Sequence, residues 1–236
     1  MFFINPPFGN YFNLPFTMSI KGSYTLYPRN GLIKQIIKTL RYDFNEGIWI
    51  NKIGLRNKGL NYAIENYKKN KEIISIAILD PREIKYIYNK IPENMDIELN
   101  VSCPNAEKSM VSKGLGIFLN CERRWCIIKL SPLSSGDLIH SYYNQGFRQF
   151  HCSNTLPCEL GGKSGHVLKP YNEKLIKYIR ETYDNDDCII IAGGGIQSYD
   201  DVLYYKNLGA NHFGFSSVMF RPIKFLNLYL NIIRNS

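Results

Sequence analysis

The sequence predicts an α/β protein, a (β/α)8 or TIM barrel formed by a single domain over residues 1–236. Two observations support this fold class. Eight short apolar runs alternate with amphipathic stretches, and a chain of 236 residues is long enough for one large domain with a full core. A third observation concerns function. Polar and small residues directly follow the apolar runs, and barrel enzymes carry their sites at those strand ends.

The apolar runs have the length of barrel strands. Continuous apolar character is typical of parallel strands that are covered on both faces. The predicted strands are Phe2–Ile4, Phe16–Ile20, Ile73–Leu79, Ile97–Val101, Cys126–Leu130, Gln149–Cys152, Cys188–Ala192 and His212–Phe215.

Amphipathic patterns between the later strands predict helices. Pro81 suits the first turn of its helix, where a missing N–H costs nothing, and Ser198 with Asp201 matches an S-x-x-D capping box. The predicted helices are Leu60–Lys69, Pro81–Lys90, Ser135–Asn144, Glu173–Thr182, Ser198–Asn207 and Phe225–Ile233.

The joint between the first two strands departs from this alternation. Parallel neighbours need a crossover of about a dozen residues, and the short segment available contains Pro6, Pro7, Gly9 and Pro15. We expect no helix there. The first β/α unit is therefore reduced: either the first strand is missing from the barrel, or a bare loop joins it to the second.

The segment from Gly22 to Gly59 forms a long excursion after the second strand. It contains a predicted helix, Leu32–Leu40, a predicted short strand, Gly47–Asn51, and the turn-rich run NKIGLRNKG. We expect it to lie over the top of the barrel, where loops carry function.

Composition excludes several classes of protein. No apolar run reaches the length of a membrane span, and the N-terminus lacks the features of a signal peptide, which predicts a soluble, cytoplasmic protein. The net charge of +9 comes from scattered lysines and arginines, so a solvated basic surface is favoured over a nucleic-acid site. No C-x-x-C pair occurs, and no metal site is predicted. The cysteines are Cys103, Cys121, Cys126, Cys152, Cys158 and Cys188.

The run DIELNVSCPN, residues 96–105, is a buried strand that leads into a loop with a thiol. Pro104 ends the strand because it has no N–H to offer. Cys103 lies at the carboxyl end of the strand, where it is a candidate for chemistry, although an inert thiol is the simpler interpretation without its neighbours. Lys21 and Lys129 end other strands, and each could point into the mouth of a pocket or extend its side chain along the surface to solvent.

Two glycine clusters follow later strands. Gly193–Gly195 lies between a strand and a helix and can present backbone N–H groups to an anion, with Ser216 and Ser217 on the neighbouring strand as further donors. The alternative for this cluster is a tight, closely packed turn. The second cluster, GGKSGHVLKP over residues 161–170, has the composition of a mobile loop.

These motifs together resemble a known family. The segments ELNVSCPN, IIKLSP, SNT, GGKSGHVLKP, IAGGGI, SIKGSYTLYPRNG and NKIGLRNKG are similar to those of the class 1, cysteine-using dihydroorotate dehydrogenases, in the same order. The resemblance extends from Asn5 to about Pro222. The tRNA dihydrouridine synthases are a related barrel family, but Asn100–Pro104 does not match their N-x-G-C-P motif.

The resemblance implies an FMN-containing barrel that oxidises dihydroorotate to orotate in pyrimidine biosynthesis and that forms a homodimer. Cys103 would be the general base that takes the C5 proton, and Lys21 would lie beside flavin and substrate. The implied substrate-binding residues are Asn51, Gly54, Leu55, Asn100, Asn105, Asn154 and Thr155. The implied FMN-binding residues are Lys21, Asn100, Lys129, Gly165, Gly194, Gly195, Ser216 and Ser217.

The chain also departs from the family pattern. INPPFGNY replaces an A-S-G-like element at the end of the first strand, Ala192 replaces a glycine, and AEKSMVSKG replaces a loop that covers the substrate. Two alternatives therefore stay open. One is a degenerate barrel that binds a nucleotide or a protein without catalysis. The other, which depends on the positive charge alone, is an RNA-modifying flavin enzyme.

Overall fold

The computed structural model describes residues 1–101, 113–184 and 186–235. The strands of these residues are β1 Phe2–Ile4, β2 Thr17–Tyr24, β3 Arg41–Asp43, β4 Ile48–Asn51, β5 Glu72–Ile76, β6 Ile97–Asn100, β7 Cys126–Lys129, β8 Gln149–Cys152, β9 Leu156–Cys158, β10 Gly161–Ser164, β11 Ile189–Gly193 and β12 His212–Phe215. The helices are α1 Leu32–Thr39, α2 Leu60–Glu65, α3 Glu83–Lys90, α4 Gly136–Asn144, α5 Lys169–Thr182, α6 Tyr199–Asn207 and α7 Pro222–Arg234.

Eight parallel strands close into a barrel in the order β1-β12-β11-β8-β7-β6-β5-β2. The predicted TIM barrel is confirmed. The first strand belongs to it, since Phe3 is in register with Met18 on β2 and with Gly214 on β12. Residues 5–16 join β1 to β2 with only one 3₁₀ turn, Phe8–Asn10, so this β/α unit lacks its α-helix as expected.

A second, smaller sheet of four antiparallel strands, β3-β4-β10-β9, combines the excursion with the second glycine cluster. Gly162 is in register with Asn51, and Ser164 with Trp49. Residues 161–164, part of the cluster whose composition is typical of a mobile loop, instead form strand β10, because glycine lets this segment approach β4 closely. A Cβ at Gly161 would lie 2.1 Å from the carbonyl oxygen of Asn51.

Helix starts follow the local sequence. The capping box is confirmed: the Ser198 hydroxyl accepts from the N–H of Asp201, and the Asp201 carboxylate accepts from the N–H of Ser198. Helix α5 begins at Lys169, four residues before the predicted start, with Pro170 in its first turn. No helix within residues 1–101, 113–184 and 186–235 is long and apolar enough to cross a bilayer.

Apolar side chains fill the lower part of the barrel interior. They form one cluster that contains Phe3, Met18, Ile20, Ile73, Trp125, Ile127 and Ile191. A larger apolar layer lies between the strands and the surrounding helices. This packing closes the lower part of the barrel interior, and barrel enzymes carry their sites at the carboxyl ends of the strands.

Candidate active site at the carboxyl ends of the strands

A cavity of about 280 Å³ lies at the carboxyl ends of the barrel strands, beneath the small sheet. Side chains from the segment after β1, from β4 and from the ends of β7, β8, β11 and β12 meet there. Nine of the residues singled out in the sequence line this cavity: Asn51, Lys129, Asn154, Thr155, Gly165, Gly194, Gly195, Ser216 and Ser217. The expectation that the excursion covers the barrel top is met, since Trp49, Asn51 and Ile53 also line the cavity.

Other predicted residues lie away from the lining. Asn100 does not line the cavity, but its Oδ1 accepts a hydrogen bond of 3.1 Å from Nδ2 of Asn154, which does. Gly54 and Leu55 are not among the lining residues. Cys103 and Asn105 lie outside the described residues.

Lys21 is not brought to the cavity. Ile20, its neighbour in β2, packs inside the barrel with Ile127, so strand alternation turns Lys21 to the outside. Its Nζ lies 2.6 Å from Oε1 of Glu72, a buried carboxylate at the beginning of β5 and thus at the opposite end of the strands. The expectation that Lys21 points into the pocket mouth is therefore not met.

The Gly193–Gly195 loop forms one end of the cavity. Gly194 and Gly195 have φ of +100° and +81°, a left-handed backbone that favours glycine. Asn172, a buried residue of α5, donates to the carbonyl oxygens of Gly193 and Gly194 at 2.9 Å each. The hydrogen bonds among the described residues leave the backbone N–H groups of Gly194 and Gly195 without an acceptor. The loop therefore offers donors to an anion.

Aromatic side chains that the sequence pattern did not single out enclose the other part of the cavity. Phe8, Tyr11, Trp49 and Phe220 all line it. The rings of Phe8 and Phe220 have centroids 4.7 Å apart, and those of Trp49 and Phe220 are 4.3 Å apart. They come from three separate segments of the chain, and no local sequence signal groups them.

Asn5 is a further lining residue that was missed. It is 7% exposed, and its Nδ2 donates to Nε2 of His151 at 3.3 Å. The available signal was its place as the first polar residue after β1, the same rule that identified the other strand ends.

A buried carboxylate lies beneath the cavity, in the interior of β6. Glu98 is 0% exposed; its Oε2 lies 2.5 Å from Nδ1 of His151, and its Oε1 lies 2.8 Å from Oγ of Ser75 and 3.5 Å from Nζ of Lys129. Burial by itself raises the pKa of Glu98, but Lys129, His151 and Ser75 together lower this pKa to about 2. Glu98 is therefore ionised at neutral pH.

His151 is the neutral member of this buried group. Burial lowers its pKa, and although the Glu98 charge opposes this, the Lys129 charge adds to it. A neutral ring with Nδ1–H facing the carboxylate leaves Nε2 as the acceptor for Asn5. Lys129, which is 8% exposed, then balances the charge of Glu98 from the cavity floor.

Comparison with known sequences identifies relatives. No family model matches the chain. It is 27% identical over 196 residues to "Dihydroorotate dehydrogenase B (NAD(+)), catalytic subunit" of Staphylococcus carnosus, a match that covers 69% of this chain and 63% of that relative. The same-named protein of Thermotoga maritima is 25% identical over 249 residues, covering 91% and 88%. "Dihydroorotate dehydrogenase A (fumarate)" of Limosilactobacillus reuteri is 26% identical over 228 residues, covering 80% and 71%.

Solved structures agree in fold. The ligand-free DHODH of Eimeria tenella superimposes with a TM-score of 0.67 at 18% identity, over 99% of this chain and 84% of that one. The ferulenol complex of Eimeria tenella DHODH gives 0.64 at 14% identity, over 88% and 71%. The chain is dihydroorotate dehydrogenase-like, similar to that family in sequence at 25–27% identity and in its barrel fold.

Proposed function

We propose that the chain is an FMN-dependent oxidoreductase that converts dihydroorotate to orotate. The observation that carries the proposal is the convergence of three kinds of group on one cavity. A lysine, Lys129, two amides, Asn51 and Asn154, and the glycine loop at Gly194 and Gly195 all line it. These are the groups that a flavin nucleotide and a planar ring of alternating N–H and C=O require.

The residues at the glycine end fit the phosphate of FMN. Within residues 1–101, 113–184 and 186–235 the backbone N–H groups of Gly194 and Gly195 have no acceptor, and both glycines line the cavity together with Ser216 and Ser217. Gly165 has φ of +115° and lines the same end. These residues would hold the phosphate, and Lys129 would contact the flavin ring. When bound, FMN supplies an acceptor for the hydride that leaves C6 of the substrate.

The side of the cavity next to β1 is closed by Asn5, Pro6, Pro7 and Phe8. These residues stand where the family has its A-S-G-like element. Prolines have no N–H and cannot donate to a flavin, so they supply an apolar wall. Asn5 supplies the polar group of this wall, held by His151.

Substrate recognition would use the amides on the opposite side. Asn154 and Thr155 follow β8, and Asn51 ends β4. Asn154 is coupled to Asn100 by a side-chain hydrogen bond. Paired donors and acceptors of this kind discriminate strongly between rings, because a mismatched polar group is left buried without a partner.

Cys103 would act as the general base. Strand β6 ends at Asn100, three residues before Cys103 in the sequence, and this end of the strand is the end of the barrel that carries the cavity. The Cys103 thiolate would take the proton from C5 of dihydroorotate as the hydride leaves C6. The C5–C6 bond then becomes double, which gives orotate and a protonated thiol.

A barrel that binds a nucleotide without catalysis is the second candidate. The observation that favours it is Lys21, which is held by Glu72 at the opposite end of the strands from the cavity. In that case FMN or a nucleotide would bind, but dihydroorotate would leave the flavin oxidised.

Flavin spectroscopy separates the two. The purified protein, loaded with FMN, is mixed anaerobically with dihydroorotate. Loss of the oxidised flavin absorbance supports the proposed oxidoreductase, and an unchanged flavin spectrum supports the non-catalytic barrel. A colourless protein that takes up no added FMN would refute the proposed function.

A further inference from the structure

We propose that a buried carboxylate, acting through a chain of hydrogen bonds across two serines, fixes which way the asparagine amides of the site point. We call this chain the relay. The relay runs through Glu98, Ser75, Ser23, Asn100 and Asn154. Its consequence for a pyrimidine-like ligand depends on the proposed function. The order of hydrogen bonds within it follows from the positions of these side chains and from the ionised state of Glu98 beside Lys129 and His151.

The relay begins at Glu98. Its Oε1 lies 2.8 Å from Oγ of Ser75, and the carboxylate is ionised beside Lys129 and His151. An ionised carboxylate only accepts hydrogen bonds. Ser75, which is fully buried, must therefore give its single hydroxyl hydrogen to Glu98.

Ser23 is the next member of the relay, and its role as donor or acceptor follows from that of Ser75. Its Oγ lies 2.9 Å from Oγ of Ser75, and since the Ser75 hydrogen is already used, Ser23 must be the donor. The Ser23 oxygen is then left with lone pairs only. It can accept from Asn100 but cannot donate to it.

The amide of Asn100 has one orientation that satisfies this arrangement. Its Nδ2 faces Ser23 at 2.7 Å, and its Oδ1 therefore faces Nδ2 of Asn154 at 3.1 Å. Oδ1 of Asn154 in turn accepts the backbone N–H of Thr155 at 2.9 Å. Turning either amide round would set two acceptors or two donors against each other.

The backbone of β2 makes the relay possible. The pairing of β2 with β5 is irregular between Lys21 and Tyr24. Before this irregularity Lys21 bonds to Glu72 on the outside of the barrel, and after it Ser23 bonds to Ser75 and Asn100. Regular alternation up to Lys21 turns that side chain to the outside, and the irregularity after it brings Ser23 to the amides.

Ser23 and Ser75 are accordingly positioning residues, which act on the ligand through Asn100 and Asn154. The test is the affinity of the FMN-loaded protein for orotate, measured by titration calorimetry. Ser75→Ala should weaken orotate binding about tenfold, because the amides lose their fixed direction. FMN affinity should stay within about twofold of wild type. Ser75→Thr, which keeps the hydroxyl, should restore orotate binding.

Ser19 provides the matched control. It is a fully buried serine on the same strand as Ser23, and its hydroxyl bonds to the carbonyl of Phe12 outside the relay. Ser19→Ala should leave orotate affinity unchanged. Should Ser75→Ala not fold, Ser23→Ala breaks the same chain at a less buried position. Wild-type orotate affinity in a folded, FMN-loaded Ser75→Ala or Ser23→Ala protein would overturn the relay.

A measurement on the apoprotein separates this inference from the proposed function. A protein that binds no orotate would refute the proposed function but would leave the relay open to test. The side-chain amide signals of Asn100, assigned with an Asn100→Asp variant in ¹⁵N NMR spectra, should move in Ser75→Ala and return in Ser75→Thr. Unchanged Asn100 signals in Ser75→Ala would overturn the relay.

Discussion

At the scale of single residues, the floor of the cavity contains a buried negative charge, Glu98, that is compensated by a positive charge, Lys129. Glu98 lies in the interior of β6, where an unpaired carboxylate would be costly, and Lys129 supplies the opposite charge at 3.5 Å. His151 remains neutral and links the carboxylate to Asn5. Lys129 therefore has two roles: it lines the cavity, and it compensates the buried charge of Glu98.

Substitution of Lys129 tests whether the buried charge of Glu98 needs this compensation. Lys129→Met leaves Glu98 as an uncompensated buried charge, and we expect the free energy of unfolding to fall by about 3 kcal/mol. Lys177→Met is the control, because Lys177 forms an exposed pair with Glu173 and its loss should cost less than about 0.5 kcal/mol. Urea unfolding measures both. Equal effects of the two substitutions would contradict the balance described here.

The lowered pKa of His212 should make the free energy of unfolding depend on pH. Burial, together with the positive charges of the chain's amino group and Arg124, lowers the pKa of His212 to about 4. The unfolded chain takes up this proton near pH 6.5, so the folded state binds fewer protons. The stabilising contribution is complete above about pH 6.5 and is lost as the pH falls towards 4.

Unfolding titrations in urea at pH 7 and at pH 4.5 measure this dependence. The free energy of unfolding should fall between the two, and His212→Gln should show a smaller fall. A variant with the same pH dependence as the wild type would show that His212 is not the group responsible.

At the scale of elements, the pattern of apolar runs predicted every barrel strand. Phe2–Ile4, Gln149–Cys152 and His212–Phe215 match to the residue. Local sequence could not predict β10, because GGKS has poor strand propensity and forms a strand only by pairing with β4 and β9. Glu98 was also missed, since its partners come from β5, β7 and β8 and are brought together only by barrel closure.

Gly161 tests the contact between the small sheet and the cavity. Gly161→Ala combines a left-handed φ of +126° with a Cβ 2.1 Å from the carbonyl of Asn51, and we expect it to cost roughly 2 kcal/mol of stability and to weaken FMN or orotate binding. Gly31→Ala has φ of +89° but nothing within 4 Å, so it isolates the backbone strain. If Gly31→Ala weakens ligand binding as much as Gly161→Ala does, the contact with Asn51 is not what matters.

At the scale of the whole molecule, barrel topology explains why so much of the cavity could be predicted. Residues that end parallel strands meet at one end of a barrel wherever they lie in the sequence. That rule found Lys129, Asn154, Gly194 and Ser216. It misplaced Lys21, because strand alternation after the inward-facing Ile20 turns that side chain outward. It gave no information on the aromatic wall, whose residues come from separate segments of the chain.

The proposed function requires Cys103 to act as the base when dihydroorotate is oxidised in this cavity. The most direct measurement is the anaerobic rate of flavin reduction by dihydroorotate in Cys103→Ser, with Cys121→Ser, a change at an exposed thiol, as the control. We expect the Cys103→Ser rate to fall by about a hundredfold or more at neutral pH, and the Cys121→Ser rate to match the wild type. Flavin reduction at the wild-type rate in Cys103→Ser would contradict the proposed role of Cys103 as the base.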